Sequence, residues 1–521
     1  MSDRFTRDVI ATSLDAAAIE MFDVLRKTAM SPIIYEVLDV GTGITDANGE
    51  LVSSGAGIPS FIGVLDKSIK AILTKFKDNI ADGDLFVLND PNHGGVTHLN
   101  DVVVAKPVFW QETLVAWAAS IAHWGDIGGR TPGSMSTDTK DIVAEGLRLP
   151  IVRLIDAGTV NESVFAIIQI NSRMPDVVAG DLWAQVSASN RATEQIAALF
   201  NRYGRSNVND AIMEARTVGE NRARAGLKNL PKGTFKIEEP QDDGSVWKAS
   251  ICITADKFTV DLREAQAQTE GPYNTSRDGA LVACQIFFKT LTDPERFANA
   301  GSFAPLEVLT KPNTVFHAGP NAPHAYYFET RLKLVDLLWH CLAQAMPEKL
   351  PAGHFASIFG TVIAGYHPDT GRRYTMVEPQ MGGWGATQNR PGQNAMFSTS
   401  HGDTFNCPVE IAEARYGFEV LYKTLSFAPE NNSGEQGGAG VSLAYRLQGD
   451  ATLSTGYSHA TVPVWGHGIN SYGGKNQLTI NRKSNNEEKH VYASNVELKA
   501  GDVVSISTAF GGSSCLNKTT A

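Results

Sequence analysis

The chain has 521 residues, 42% apolar and 19% charged, with a formal net charge of -11 and a pI near 5.6. That length exceeds what one hydrophobic core serves, so roughly two to four domains are expected, with the balance of a folded protein rather than a disordered one. An acidic chain without clustered Lys and Arg excludes nucleic acid as the main partner, and no run of about 18 apolar residues marks a membrane span.

The first predicted element is a helix, because Ile10, Leu14, Ala17, Met21 and Leu25 form one apolar stripe that Pro32 stops. In "YEVLDVGTGITDANGELVSSG" two extended runs flank a turn centred on Asn48-Gly49. An amphipathic helix follows in "GVLDKSIKAILTKF", then a strand in "GDLFVLNDP". The runs "DVVVAKPVFW" and "TLVAWAASIA" read as an antiparallel hairpin, followed by the Gly- and Ser-rich loop "DIGGRTPGSMSTDTKD". Helical patterning fills about 171 to 230, a three-strand meander about 233 to 262, and a long helical region about 276 to 348. Beyond about 356, short β-like runs alternate with Gly- and Asn-rich loops. Strands and helices come in separate runs, so the fold class is α+β, multi-domain, with mixed sheets. The expected division is 1–170 as an α+β region carrying the site, 171–350 as a helical region with the meander, and 351–521 as a β-rich region.

The five cysteines are odd in number, far apart and without CxxC spacing, which argues against a disulfide framework or thiolate zinc site and fits a reducing cytoplasm. The beginning of the chain has acids early and no apolar stretch of signal-peptide length, so no export signal is expected.

His98 and Asp101 stand at the start of the first hairpin run, and His123 and Asp126 at the end of the second. An antiparallel hairpin brings those ends together. Two imidazoles and a carboxylate at one sheet rim suit a divalent metal such as Zn, Mn or Fe(II), with positions left open for water or substrate. Taken singly, each His also reads as an ordinary surface or capping residue. Asp39, in the apolar context "EVLDVGTG", is either a fourth ligand or a hydrogen-bonded structural acid, since a buried carboxylate needs a partner. His93 lies in the loop "NDPNHGGVTHLND" and reads mainly as solvent-facing. The cluster "HGDTFNCPVEIAEARYG" holds His401, Asp403, Cys407, Glu410 and Arg415, where Cys407 reads better as a small buried hydrophobe than as a nucleophile. The sequence has no GxxxxGK[ST] loop, no GxGxxG after a strand and no GxSxG elbow.

Several segments, in order along nearly the whole chain, resemble the hydantoinase B/oxoprolinase family: "LDVGTGITDANGELVSSG", "GDLFVLNDP", "GGVTHLNDVVVAKPVF", "AHWGDIGGRTPGSM", "EGLRLPIVRL", "FAPLEVL" and "NCPVEIAEARYG". The resemblance implies a metal held by Asp39, His98, Asp101 and His123. It also implies a separate A-type subunit that binds ATP and Mg and phosphorylates a cyclic amide (hydantoin, oxoproline or lactam). The alternative within the family is a subunit of an ATP-dependent ketone carboxylase of the acetone or acetophenone type. Asp126 and His401, both in polar loops, are the candidates for base or orienting group. Three departures from the family pattern stand out: Val96 before Thr97, Trp124 where a second histidine is common, and "LDVG" around Asp39.

Overall fold

The computed structural model describes residues 3–295, 297–402, 404–429 and 434–516. Helix α1 (Arg4–Thr28) is capped by Asp3, whose carboxylate accepts from the Thr6 N–H. Pro32, expected to stop it, opens the short α2 (Pro32–Tyr35). Strands β1 (Val40–Asp46) and β2 (Leu51–Gly57) form the hairpin around Asn48-Gly49, and α3 (Pro59–Phe76) follows. Next come β3 (Leu85–Leu88), β4 (Asp101–Trp110), β5 (Thr113–His123), β6 (Val152–Asp156) and β7 (Thr159–Val160). Gln111 and Glu112 take φ of +48° and +61° at the β4–β5 turn, the left-handed pair that suits a two-residue hairpin.

These seven strands make one antiparallel sheet in the order β2-β1-β5-β4-β3-β6-β7. Its strands alternate between two cores. Val102, Val104 and Ala122 pack with α1 residues such as Leu14 and Met21, while Val103, Ala105 and Ile121 pack with Phe61, Leu65 and Ile69 of α3. Because both faces are covered, β4 and β5 read as near-continuous apolar runs.

Helix α4 (Glu162–Asn171) precedes α5 (Pro175–Lys228), which packs along α1. Gly204, at φ +75°, interrupts α5. The meander is present as β8 (Gly233–Pro240), β9 (Val246–Ile253) and β10 (Phe258–Asp261). The long helical region expected at 276–348 is instead α6 (Arg277–Thr292), β11 (Leu306–Leu309) and α7 (Tyr327–Ala343). Pro305, Pro312, Gly319, Pro320 and Pro323 fall between the helices and break the pattern. Strand β11 joins the meander in parallel with β10, giving the order β11-β10-β9-β8.

The last part holds β12 (Thr361–Tyr366), β13 (Arg373–Glu378), α8 (Val409–Arg415), β14 (Phe418–Ser426), β15 (Gly440–Leu447), β16 (Ala451–Gly456), β17 (Gln477–Asn481), β18 (Glu487–His490), β19 (Tyr492–Leu498) and β20 (Val503–Ser507). They form two sheets, β13-β12-β16-β19 and β14-β15-β20-β17-β18, which share one hydrophobic core with the first sheet. The architecture is α+β with four sheets among the described residues. No helix among them is long and apolar enough to cross a membrane.

Candidate metal centre

The turn before β4 is built from short polar side chains and glycines. The Asp90 carboxylate accepts from the Asn92 N–H, and buried Asn89 donates to the Leu99 and Leu147 carbonyls while accepting from the Leu149 N–H. Gly94 takes φ +97°, and a Cβ on Gly95 would sit 2.4 Å from the Asn89 backbone. Val96, the departure noted in the sequence, adopts φ +70°, a strained setting for a β-branched residue. The turn delivers His98 into the interior one residue pair ahead of the strand.

Asp101 then pairs directly with His123 across the β4–β5 ladder, and the His123 N–H donates to the Asp39 carbonyl where β1 joins β5. The ligand atoms of His98, Asp101 and His123 lie within 4.8 Å of one another, and all three side chains are buried. His98 Nε2 is 3.2 Å from Asp101 Oδ1, and its Nδ1 lies 3.0 Å from the Ala325 carbonyl. That contact sets Nδ1 as the protonated nitrogen and turns Nε2 toward the cluster. The Tyr327 hydroxyl donates to Asp101 Oδ2 at 3.0 Å. His123 Nδ1 has no hydrogen-bond partner among the described residues, and Asp101 Oδ1 faces only the His98 ring. Glu145 secures the arrangement from behind, accepting from the His324 and Ala325 N–H groups and from Thr139.

The cavity around the cluster has an open volume of about 30 Å³. Asp39, Arg331, His401 and Ser60 complete its polar wall, and Met135, Phe328 and Val377 are among its apolar residues. Asp39 lines the cavity but lies outside the 4.8 Å cluster. Burial, then the charge of Asp101, pushes its pKa up to about 8. Burial opposes the charge of Asp101 too, yet His98, His123 and the Tyr327 hydroxyl hold its carboxyl below the usual range. Burial and the neighbouring His98 push His123 down to about 3, and burial with the charge of Arg331 does the same to His401. Both rings are therefore neutral near pH 7, the form in which imidazole binds a metal.

The other sequence candidates lie elsewhere. Asp126 is buried, but its carboxylate accepts from the N–H groups of Gly128, Gly133 and Arg173 and pairs with the Arg173 guanidinium at 3.1 Å. The Gly-rich loop thus wraps the chain's own carboxylate, and Asp126 does not line the cavity. His93 is largely exposed and bound to Asp90. Trp124 donates to Gln185 in the core. Burial raises the Cys407 thiol to about 12, which suits its reading as a buried hydrophobe. Glu410 and Arg415 are exposed, and Asp403 lies outside the described residues. Tyr327, Arg331, Ser60 and Glu145 were not singled out by the sequence. They come from distant segments, and no local pattern marks them.

A buried donor set of two imidazoles and a carboxylate, with His123 Nδ1 uncommitted, fits one small divalent cation. The chain is 30% identical to the caprolactamase subunit beta of Pseudomonas jessenii, over 98% of this chain and 90% of that one. The crystal structure of the ATP-dependent caprolactamase from the same organism superposes with a TM-score of 0.90 at 26% identity, covering 99% of this chain and 91% of that chain. The acetophenone carboxylase delta subunit of Aromatoleum aromaticum is 28% identical over 58% of this chain and 45% of its own. The family model for hydantoinase B/oxoprolinase matches residues 3–513. The chain belongs to the hydantoinase B/oxoprolinase family.

Proposed function

We propose that this chain is the metal-binding subunit of an ATP-dependent cyclic amidohydrolase, working with an A-type subunit that binds ATP and phosphorylates the substrate. The observation that carries the reading is the buried cluster of His98, Asp101 and His123, whose donor atoms face one another and whose His123 Nδ1 has no hydrogen-bond partner among the described residues. These three would hold a divalent cation (Zn, Mn or Fe), with Asp39 at the cavity wall as the fourth candidate. A bound cation supplies Lewis acidity there.

The chain's residues account for the rest. The Ala325 carbonyl and Glu145 fix the His98 ring, and Tyr327 orients Asp101. The apolar wall keeps bulk water from a reactive phosphorylated substrate. His401, neutral in the working range, keeps Nε2 uncommitted and can orient a water or substrate hydrogen. An amide is a poor electrophile. Phosphorylation of its oxygen on the partner makes the carbon imidate-like; water adds there, the C–N bond breaks as the ring nitrogen takes a proton and leaves, and a second water cleaves the resulting acyl phosphate to carboxylate and phosphate. The caprolactamase relative, which spans nearly the whole chain, supports this over the ketone-carboxylase reading, whose acetophenone relative matches about half.

The test is co-purification with the A-type partner and measurement of ATP consumption with hydantoins, lactams and ketones. ATP use driven by a cyclic amide without bicarbonate supports the reading. Use driven only by a ketone with bicarbonate replaces it with the second. The isolated chain should not turn over ATP, and turnover abolished by a mutation in this chain would show the division of labour to be wrong.

A further inference from the structure

Arg331 is 2% exposed, yet among the described residues no carboxylate lies within 4.0 Å of its guanidinium. Nη1 donates to the Tyr327 hydroxyl at 3.3 Å, the guanidinium carbon lies 5.1 Å from that ring, and Nε has no partner. A charge taken out of water without a counter-ion is costly, so such a group implies a ligand that neutralises it. Ser60 gives a second, independent observation. It is fully buried, lines the same cavity, and its hydroxyl has no partner. It is also the second residue of α3, an 18-residue helix whose N-cap is Ile58 and whose first turn lacks a side-chain cap. The Ile58 and Phe61 N–H groups are taken up by the Val40 and Ile58 carbonyls and Pro59 has none, so what the helix start offers an anion is the partial positive charge of the helix dipole beside the Ser60 hydroxyl.

Resting on the metal reading above, we infer that Arg331, Ser60 and the start of α3 form an oxyanion subsite opposite the His98–Asp101–His123 cluster, which receives an anionic oxygen of the small-molecule substrate or product. The charges agree. A divalent cation and Arg331 outweigh Asp101 and, when it is ionised, Asp39, so the cavity would carry net positive charge and favour an anionic group. Two sources share this chemistry: the phosphoryl oxygens of an activated substrate and the carboxylate of an opened product. The cavity admits only a small group beside an ion. A separate cleft of about 370 Å³ is lined by Pro59 and Thr399, chain neighbours of the cavity residues Ser60 and, two residues on, His401.

The test measures binding of inorganic phosphate and of acetate to the full chain by calorimetry, after loading with manganese and desalting, with metal content read on the same samples. Arg331→Met should weaken anion binding by about tenfold or more, the loss expected for a charge-assisted contact, and Ser60→Ala by a few-fold, while both keep their metal. Phosphate bound more tightly than acetate assigns the subsite to the phosphoryl group, and the reverse assigns it to the carboxylate. Wild-type protein that binds neither, or variants that bind as wild type does, overturn the subsite. If the wild type retains no metal, the metal reading fails separately. The same two variants are then measured on the metal-free chain, where lost binding upholds the subsite and equal binding or none overturns it. Should Arg331→Met fail to fold, Ser60→Ala decides alone.

Discussion

Replacing Asp181 by Asn should make stability respond differently to pH, by an amount the structure specifies. Asp181, on α5, is fully buried, and its Oδ1 accepts from the Met30 and Ser31 N–H groups in the turn between α1 and α2. Its Oδ2 and the Ser31 hydroxyl have no hydrogen-bond partner, so the Asn amide has an acceptor close by. Burial raises the carboxyl pKa from 3.8 to about 6. A carboxyl whose pKa rises on folding binds its proton more tightly in the native state. Its stabilisation is therefore whole below pH 3.8 and is lost as pH climbs through about 6. At about 1.4 kcal/mol per unit, roughly 3 kcal/mol is lost across that window. Asn cannot titrate, so the stability of Asp181→Asn relative to wild type should improve by up to that amount from pH 4 to 7. Glu145, Glu329 and Glu378, each raised to about 7 by burial, titrate in both proteins and cancel in the difference. Denaturant unfolding at constant salt measures it. A difference that stays flat with pH would refute the reasoning.

His98→Ala should lose most of its bound metal by elemental analysis, and undiminished content would remove the cluster from consideration. Glu145→Ala frees the Ala325 peptide and should weaken metal affinity about 10- to 100-fold, as outer partners of ligating histidines do; competition with a chromophoric chelator reads it. Asp126→Asn should cost about 3 kcal/mol or more by leaving Arg173 without its partner, yet keep its metal. Loss of metal with unchanged stability would return Asp126 to the site.

The hairpin that carries the centre was legible because strand period and register are local: Asp101 and His123 oppose each other as the two apolar runs require. Asp39 was marked by being an acid in an apolar run. The opposite wall left no such trace. Every residue of α7 except His340 is buried, so no polar stripe sets Arg331 or Tyr327 apart from Lys333 or Asp336, which serve a separate internal ion network with Glu239 and His354. Ser60 looks like any residue near a helix start. Asp126 shows why local pattern is ambiguous: a carboxylate at a strand end beside glycines is equally suited to organising a loop, and its partners are set only once Gly133 and Arg173 fold back onto it.

The centre also has an order of manufacture. The hairpin ligands end at position 123, whereas the wall that closes over them arrives with Tyr327 and Arg331 and is finished by His401. Between His123 and His401 the ribosome adds 278 residues, about 14 to 56 s of synthesis at ordinary rates. For that interval the hairpin can exist with its donors open to whatever ions surround it. In the finished chain the same donors lie behind a cavity of about 30 Å³. On the proposed reading, metal selection becomes a matter of timing as well as affinity, because an ion captured early would be sealed in. Metal present during refolding should load quickly, and metal offered to the refolded apo chain should enter far more slowly.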